Sequence, residues 1–382
     1  MISKVDERVI YVFIVIISLL IYVPYIKSFD NYHECRHYST GDSFAYEKIV
    51  VSIINDFDLN MANNFEERLH LSGGFALSPE GVLVTKYSIL FSITTVPFYL
   101  LFGAIGVMYY NLLLAIMLNV IIYAINRVFF NKSISLMTAF LFATGTIIMN
   151  YSYNYLGSLF STVLIAAGVL YILRKKYYLA ALILGFACFA AVSNIPWIGI
   201  MFLFVFWDYF KNKVDWAHKK SITEGVKVSF SIIIIFCISL VPLLYSNLLL
   251  YGNAFVTGYH KTITFDENYN MITLDYSSGF NQELLSGLYN LLFHPTLGVV
   301  EANPVIIIAC IGVIMIRKMK NQLWAVMLLT IIAGQFLFYA KWDMWYATEF
   351  GNRFVMFSIV IFSPFVGNVL NELLLKLTAN SK

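Results

Sequence analysis

Apolar residues fall in long runs that repeat along the whole chain and are separated by short polar segments. An apolar helix of about 20 residues spans the roughly 30 Å hydrocarbon core of a membrane, because its backbone hydrogen bonds are satisfied within the helix. The pattern predicts an all-α polytopic membrane protein, a single transmembrane domain over residues 1–382 with about ten transmembrane helices. The predicted spans are residues 9–27, 107–126, 134–150, 158–173, 178–194, 197–209, 228–246, 304–317, 323–340 and 354–375.

Composition supports the membrane class and argues against others. Hydrophobic residues make up 60% of the chain and charged residues only 12%, whereas soluble domains carry about a quarter of charged residues. The formal net charge of +3 is too small to indicate a nucleic-acid partner. We therefore expect membrane lipids, and no nucleic acid, around this chain.

Basic residues indicate which ends of the predicted helices face the cytoplasm. They cluster within residues 127–132, 174–176, 211–227 and 317–320, and close to both termini. Because cytoplasmic loops carry an excess of lysine and arginine, we expect a protein of the inner (plasma) membrane with both termini in the cytoplasm. This orientation leaves three outer loops, at residues 28–106, 247–303 and 341–353.

The apolar segment 87–102 does not fit this orientation as a further span. Counting it as one would turn every later basic loop to the outside, and Pro97 interrupts it. We therefore expect a helix that lies in the outer membrane interface or dips into it. The alternative, a true span closed by a short turn at residues 103–106, stays open.

The first outer loop begins with an amphipathic pattern. Apolar residues recur at helical spacing, at Tyr46, Ile49, Val50, Ile53, Ile54 and Phe57. The pattern predicts a helix on the membrane surface with Asp42 at its start. A carboxylate in this position either caps the free N–H groups of the first helical turn or takes a proton from an incoming hydroxyl or amine.

Other polar residues lie near the outer ends of the predicted spans. Lys86 precedes the segment 87–102 and Arg353 precedes the last span, positions at which a cation faces lipid phosphates. The alternative for Lys86 is a side chain that only extends towards the interface. Further candidates for a site are Glu47, His260, His294, Glu301 and Asp343. No metal-binding or nucleotide-binding motif supports a metal ion or a cofactor, so we predict no cofactor, and the use of a divalent metal stays open.

Five stretches occur in a fixed order in the predicted outer loops. The first loop contains "GDSFAYEKIVVSIINDFDLNMANNF" and then "LVTKYSILFSITTVPFYLLFG". The later loops contain "YGNAFVTGYH", "LLFHPTLGVVEANP" and "KWDMWYATEFGNRF". These phrases resemble motifs of the GT-C superfamily of polytopic membrane glycosyltransferases, including its protein mannosyltransferase and aminoarabinose transferase relatives.

The resemblance implies a GT-C-like helical bundle, with interfacial helices in the first outer loop, that transfers a hexose or pentose with inversion. The implied donor is a sugar linked to a polyprenyl phosphate such as undecaprenyl phosphate. The implied acceptor is a glycan, lipid or protein on the outer side. Asp42 would be the general base, and Lys86 and Arg353 would bind the donor phosphate. The acceptor or sugar would meet Glu47, His260, His294, Glu301 and Asp343.

The implied partners include membrane lipids and the proteins that synthesise and flip the donor. The small size of the chain is similar to that of O-antigen glucosyltransferases, which modify lipopolysaccharide in the cell envelope. Two alternatives stay open, an O-antigen polymerase or ligase and a lipid-linked-sugar transporter. The predicted spans are essentially free of charge, which argues against a transporter. The outer loops offer few arginines for a polymerase, namely Arg36, Arg68 and Arg353.

Overall fold

The structure, a computed structural model, describes residues 5–27, 41–64, 74–213, 219–265, 271–273, 279–346 and 351–380. Arg36 and Arg68 lie outside the described residues. The described ranges contain sixteen α-helices: α1 Glu7–Lys27, α2 Gly41–Asn55, α3 Ile89–Phe102, α4 Gly106–Phe129, α5 Lys132–Gly145, α6 Ile148–Tyr151, α7 Gly157–Leu173, α8 Tyr177–Ala190, α9 Ile195–Lys213, α10 Lys219–Tyr251, α11 Leu284–Phe293, α12 Val299–Ala302, α13 Val305–Ile314, α14 Gln322–Lys341, α15 Met356–Ile361 and α16 Ser363–Asn380.

Each apolar run predicted to span the membrane is largely helical in the structure, although the run 134–150 is divided between α5 and α6. Within the described residues, six helical stretches are long and apolar enough to cross a membrane: Glu7–Ile26, Ile89–Phe129, Val192–Asn212, Ser221–Tyr251, Gln322–Lys341 and Arg353–Ala379. Shorter apolar helices, among them α7, α8 and α13, complete the bundle. The prediction of a multi-pass helical membrane protein is confirmed, whereas the count of about ten spans is not.

Helix α4 lies at the centre of the bundle, between α1, α5 and α7. Its apolar side chains are buried nearly all around its circumference, as expected for a helix enclosed by others. A polar contact fixes its position against α1, because the Asn119 side-chain amide donates to Ser18 Oγ at 3.0 Å and to Tyr22 Oη at 2.8 Å. Such interhelical hydrogen bonds are a common device where apolar packing alone does not select one arrangement.

The basic loops gather at one end of the bundle. Arg127 pairs with Glu7 at 2.7 Å, and Lys318 pairs with Glu372 at the same distance. The connection before α14 reaches α4 through the Asn321 side chain, which donates to the Val128 carbonyl at 3.3 Å. The opposite end is called the outer end below. Which side of the membrane it faces stays a prediction.

At the outer end the chain forms a small antiparallel sheet that the sequence patterns did not predict. The strands are β1 Phe75–Leu77, β2 Leu83–Thr85, β3 Thr262–Phe265 and β4 Met271–Thr273, in the spatial order β2-β1-β3-β4. Phe75 lies opposite Thr85 on one side and opposite Ile263 on the other. The first two predicted outer loops are therefore joined by backbone hydrogen bonds.

Helix α2 forms where the amphipathic pattern predicts it, but protein covers its apolar face. Ala45 and Ile49 are buried against Phe75, Leu83 and Ile263 of the sheet. The expectation that this face rests on the membrane surface is therefore corrected. Phe57 was also assigned to the apolar face, but the helix ends at Asn55 and Phe57 is 91% exposed.

Helix α3 occupies the segment whose role as a span was left open. A short 3₁₀ turn, Gly103–Ile105, connects it to α4, and Gly103 adopts a φ of 65° that favours glycine. Tyr110 of α4 donates to Thr94 Oγ1 at 2.7 Å and packs its ring against Phe91 and Phe98. Because residues from two turns of α3 meet the single residue Tyr110, α3 crosses α4 near its outer end. Its placement in the membrane interface stays a prediction.

Candidate active site

A cavity of about 430 Å³ opens at the outer end of the bundle. It is bounded by the start of α2, the connection from β2 to α3, the start of α7, the α8–α9 connection and the ends of α10 and α14. Most of its walls are aromatic or aliphatic. Four of the residues singled out from the sequence line it: Asp42, Lys86, His260 and Arg353.

Asp42 lies in the first turn of α2, where the partial positive charge of the helix N-terminus favours a carboxylate. Its two oxygens contact side chains from distant segments. Arg353 Nη2 lies 2.5 Å from Oδ2, and the Tyr87 hydroxyl donates to Oδ1. The Asp42 side chain is 25% exposed and the Arg353 side chain 10%. The ion pair is therefore partly shielded from water, so its mutual attraction exceeds that of a surface pair.

The turn before α15 directs Arg353 into the cavity. Asn352, in the left-handed region with a φ of 52°, accepts a hydrogen bond from the Phe354 N–H at 3.3 Å through its side-chain oxygen. Its side-chain amide donates to the Trp345 carbonyl at 3.0 Å. The guanidinium of Arg353 also lies 5.2 Å from the centre of the Phe354 ring. These contacts restrict the arginine at the point where the last apolar helix begins.

Lys86 follows directly after β2, and its backbone N–H donates to the Gly74 carbonyl at 3.1 Å. Its ammonium lies 5.0 Å from the centre of the Tyr87 ring and 5.6 Å from that of Tyr259, within the range of cation–π attraction. Burial lowers the pKa of Lys86, Asp42 opposes that shift and Arg353 adds to it. The three charged groups therefore act on one another across the cavity.

Two tyrosines that the sequence reasoning did not assign to the site support Asp42. Burial, followed by the charge of Asp42, raises the pKa of Tyr87 well above its ordinary value, so the phenol keeps its proton and remains a donor. Burial likewise raises the pKa of Tyr46, whose ring lies 5.0 Å from that of Tyr87. Only their positions in the sequence could have indicated these two tyrosines: Tyr87 follows Lys86, and Tyr46 lies one helical turn after Asp42.

Of the five acceptor or sugar-site candidates, His260 lines the cavity. It is exposed on a short 3₁₀ turn, Gly258–Lys261, where Nδ1 accepts a hydrogen bond from the Thr257 N–H at 3.3 Å. The other four lie outside the cavity lining: Glu47, His294, Glu301 and Asp343.

Two of those four bind loop backbone. His294 Nδ1 accepts from the Leu297 N–H at 3.3 Å. Asp343 Oδ1 accepts from the Asn281 N–H at 3.0 Å and so joins the second and third outer loops. Glu301 is exposed on the short helix α12, and Glu47 is half-buried on α2. The contact of these four residues with acceptor or sugar stays a prediction.

Below the charged groups the cavity extends towards the middle of the bundle. Helix α8 ends at Ala190, and the connection to α9 forms part of the cavity wall. Here the Asn194 side-chain amide donates to Ser161 Oγ at 2.9 Å and to the Ala187 carbonyl at 2.8 Å. The surrounding wall is largely apolar and includes Leu243, Phe338, Trp342 and Phe357. No group of three or more His, Cys, Asp or Glu side chains in the described ranges is arranged to hold a metal ion.

Comparisons with known proteins identify the fold. Neither protein-family models nor curated protein sequences match this chain. Among solved structures, ArnT from Cupriavidus metallidurans bound to undecaprenyl phosphate is similar over 96% of this chain and 61% of its own, with a TM-score of 0.64 and 12% identity. The apo oligosaccharyltransferase from Archaeoglobus fulgidus is similar over 97% of this chain and 51% of its own, with a TM-score of 0.58 and 12% identity.

This chain therefore spans between half and two thirds of the length of those two proteins. The similarity extends over almost every residue of this chain, so it concerns the whole bundle and not one pair of helices. The GT-C-like architecture predicted from the outer-loop motifs is confirmed. The chain shares the fold of ArnT and of the archaeal oligosaccharyltransferase over nearly its whole length.

Proposed function

We propose that this protein is an inverting glycosyltransferase that moves a sugar from a polyprenyl-phosphate donor to an acceptor at the outer face of the inner membrane. The observation that carries the proposal is the convergence of Asp42, Lys86 and Arg353 on one largely apolar cavity. A carboxylate is the type of group that accepts a proton from a nucleophile, and cations stabilise the charge that a phosphate leaving group gains.

The charges in the cavity suit a lipid-linked phosphodiester. The two positive charges of Lys86 and Arg353 and the negative charge of Asp42 sum to one net positive charge. The single negative charge of the donor phosphodiester balances it. Arginine offers a planar fork for two phosphate oxygens, and lysine acts as a point charge. The similar fold of ArnT, whose structure holds undecaprenyl phosphate, supports this donor class.

The cavity also has a suitable size and lining. About 430 Å³ lies within the roughly 300–1,000 Å³ typical of small-molecule sites, enough for a sugar ring and its phosphate. The apolar wall around Leu243, Phe338 and Phe357 suits the first isoprenoid units of the lipid, with the remaining chain in the membrane. His260 is exposed at the cavity, and because Nδ1 accepts from the Thr257 N–H, its other ring nitrogen is the one proposed to meet the acceptor.

The proposed reaction is a direct displacement. Asp42 takes the proton from an acceptor hydroxyl or amine as that atom bonds to the anomeric carbon of the sugar. The bond from the anomeric carbon to the phosphate oxygen breaks, and its electron pair leaves with the polyprenyl phosphate. Lys86 and Arg353 stabilise the charge that this oxygen gains. Attack opposite the leaving group inverts the anomeric centre.

The finer parts of the proposal follow the outer-loop motifs. The sugar is a hexose or pentose, the acceptor is a glycan, lipid or protein of the cell envelope, and other membrane proteins synthesise and flip the donor. O-antigen glucosyl transfer to lipopolysaccharide is one such reaction. Both termini are placed in the cytoplasm, in agreement with the basic loops at the opposite end of the bundle.

Transfer of radiolabelled sugar in proteoliposomes tests the proposal. Purified protein is supplied with synthetic polyprenyl-phosphate sugars and candidate envelope acceptors. We expect transfer by the wild type and none by Asp42→Asn. Asp343→Asn is the matched control, because Asp343 lies outside the cavity lining and an amide oxygen can still accept from the Asn281 N–H. Transfer by Asp42→Asn at the wild-type rate, or no transfer by any variant with several sugars and acceptors, contradicts the proposal.

A further inference from the structure

The arrangement of Asp42 raises a question about the proposed reaction, on which this inference rests. Both carboxylate oxygens already have hydrogen-bond donors, Arg353 on Oδ2 and Tyr87 on Oδ1. A general base must instead face the acceptor, and the group that binds donor phosphate must face the phosphate. In the structure, the proposed base and one proposed phosphate ligand face each other.

The Arg353 guanidinium is the group that both the Asp42 carboxylate and the donor phosphate would bind. It approaches Asp42 through Nη2 and lines the same cavity that would receive the donor. A phosphate binds arginine best through two parallel N–H bonds. A phosphate that took this geometry would come close to the Asp42 carboxylate. Like charges that share one cation in a partly buried site repel each other, because little water screens them.

Tyr87 is placed to remain on Asp42 when Arg353 turns to another anion. Its backbone N–H donates to Thr85 Oγ1 at 2.9 Å, which ties the residue to the end of β2. Its ring packs between those of Tyr46 and Tyr259, at 5.0 Å and 6.2 Å. The phenol is uncharged and does not attract a phosphate as a guanidinium does. Tyr87 is therefore a positioning residue that orients the carboxylate.

We propose that the donor phosphate and Asp42 compete for Arg353, so that donor binding frees one carboxylate oxygen for the acceptor. The pair holds Asp42 away from the acceptor while the cavity lacks donor. When phosphate takes over the guanidinium, Oδ2 becomes available and Tyr87 keeps Oδ1 in place. The two substrates are then used in a fixed order, donor first.

A different role for Asp42 in the same contacts predicts the opposite change in donor affinity. If Asp42 serves only to hold Arg353 in position for phosphate, removing the carboxylate loosens the guanidinium and weakens donor binding. Competition instead requires that removing the carboxylate charge strengthens binding. The sign of the change in affinity separates the two cases.

The experiment measures binding of undecaprenyl phosphate, without sugar, to the full-length protein in nanodiscs. We expect Asp42→Asn to bind at least about fivefold more tightly than the wild type, the lower end of typical coupling between two sites. Asp343→Asn is the matched control, because it removes an equal charge from a carboxylate outside the cavity lining, and its amide oxygen can still accept from the Asn281 N–H. Its affinity is expected within about twofold of the wild type, as for a substitution away from the binding site.

The outcomes separate this inference from the proposed function. If the wild type binds undecaprenyl phosphate and Asp42→Asn binds it equally or more weakly, the proposed competition is wrong. The glycosyltransferase proposal is then unaffected. Failure of both to bind the lipid overturns both. Asp42→Ser, which removes the same charge, replaces the asparagine variant if that variant does not fold, as judged by thermal unfolding.

Discussion

Replacing Gly258 by alanine is a direct test of how the second outer loop approaches the cavity. A Cβ added at this position would lie 2.5 Å from the Lys86 carbonyl oxygen and 2.7 Å from its carbonyl carbon, and closer still to its Cα. All three are backbone atoms, so a change of rotamer cannot relieve the overlap. Ordinary contact begins at 3.4 Å, and the turn Gly258–Lys261 must therefore move away from β2 by about 1 Å.

The sheet resists that movement. Thr262 follows the turn at once, begins β3 and lies opposite Ala76 of β1. Overpacking of this kind costs about 1–3 kcal/mol in the free energy of unfolding. The same displacement moves Tyr259 and His260 relative to Lys86 in the cavity. A misplacement of about 1 Å near reacting groups can lower a rate about 100-fold, so we expect transfer to fall by one to two orders of magnitude.

The assay combines thermal unfolding in detergent with the sugar-transfer measurement. Gly199→Ala is the matched control, because an added Cβ in α9 meets nothing within 4 Å. This control is expected to be neutral or to stabilise the protein by up to about 1 kcal/mol, since alanine is the better helix former. If Gly258→Ala unfolds at the wild-type temperature and retains wild-type transfer, the close approach of the turn to Lys86 is wrong.

Two further predictions concern a buried amide and the pH dependence of binding. Asn303→Ala should lower the free energy of unfolding by about 2 kcal/mol in chemical denaturation, because Asn303 accepts from the buried Ile147 N–H at 2.9 Å. The exposed Thr330→Ala should change it by less than about 0.5 kcal/mol, and equal effects would contradict this argument. Burial and then Arg353 lower the pKa of Lys86 from 10.5, so the ammonium loses its proton below pH 10.5. The affinity for undecaprenyl phosphate should therefore fall as the pH rises towards that value. The Lys86→Arg variant should bind undecaprenyl phosphate with the same affinity over this pH range. A wild-type affinity that stays constant up to pH 10.5 would refute the lowered pKa of Lys86.

The helices could be predicted because their signal is local. A long apolar run specifies a helix in a membrane largely by itself, because its backbone hydrogen bonds are satisfied within the run. The ends of helices were less well determined. Helix α10 runs over Lys219–Tyr251, whereas the predicted span covered 228–246. Hydropathy marks where the chain is apolar, and a helix continues into polar residues wherever its backbone hydrogen bonds can continue.

The sheet at the outer end could not be predicted by the same route. Its strands contain only three or four residues each, too few for an alternating pattern to appear above chance. Two of them come from the first outer loop and two from the second, so their pairing is a property of the folded chain. The same limit applied to α2. Periodicity identified its apolar face, but it contains no information on whether lipid or protein covers that face.

The candidate site was predictable in its charged residues and not in how they pair. Lys86 and Arg353 were selected as charges at the ends of apolar runs, and Asp42 was selected as the carboxylate at the start of an amphipathic pattern. The contact between Asp42 and Arg353 joins positions 311 residues apart, beyond the reach of any local pattern. Tyr87 gave no signal of its own, because the chain contains 26 tyrosines and the role of this one comes from the residues it meets.

The kind of hydrogen-bond partner separates Asp42 and Arg353 from the other polar candidates at the outer end. Irregular loops leave backbone N–H groups that need acceptors, and His260, His294 and Asp343 are used for that purpose. A side chain bound in this way is held by the loop it supports and has less capacity for a substrate. Asp42 and Arg353 instead bind each other's side chains across the cavity. A carboxylate paired with a side-chain cation can lose that cation to a competing anion, whereas a carboxylate bound to backbone N–H groups is held by the loop itself. This difference is why the pair, and not the more numerous polar residues around it, is the part of the outer end suited to chemistry.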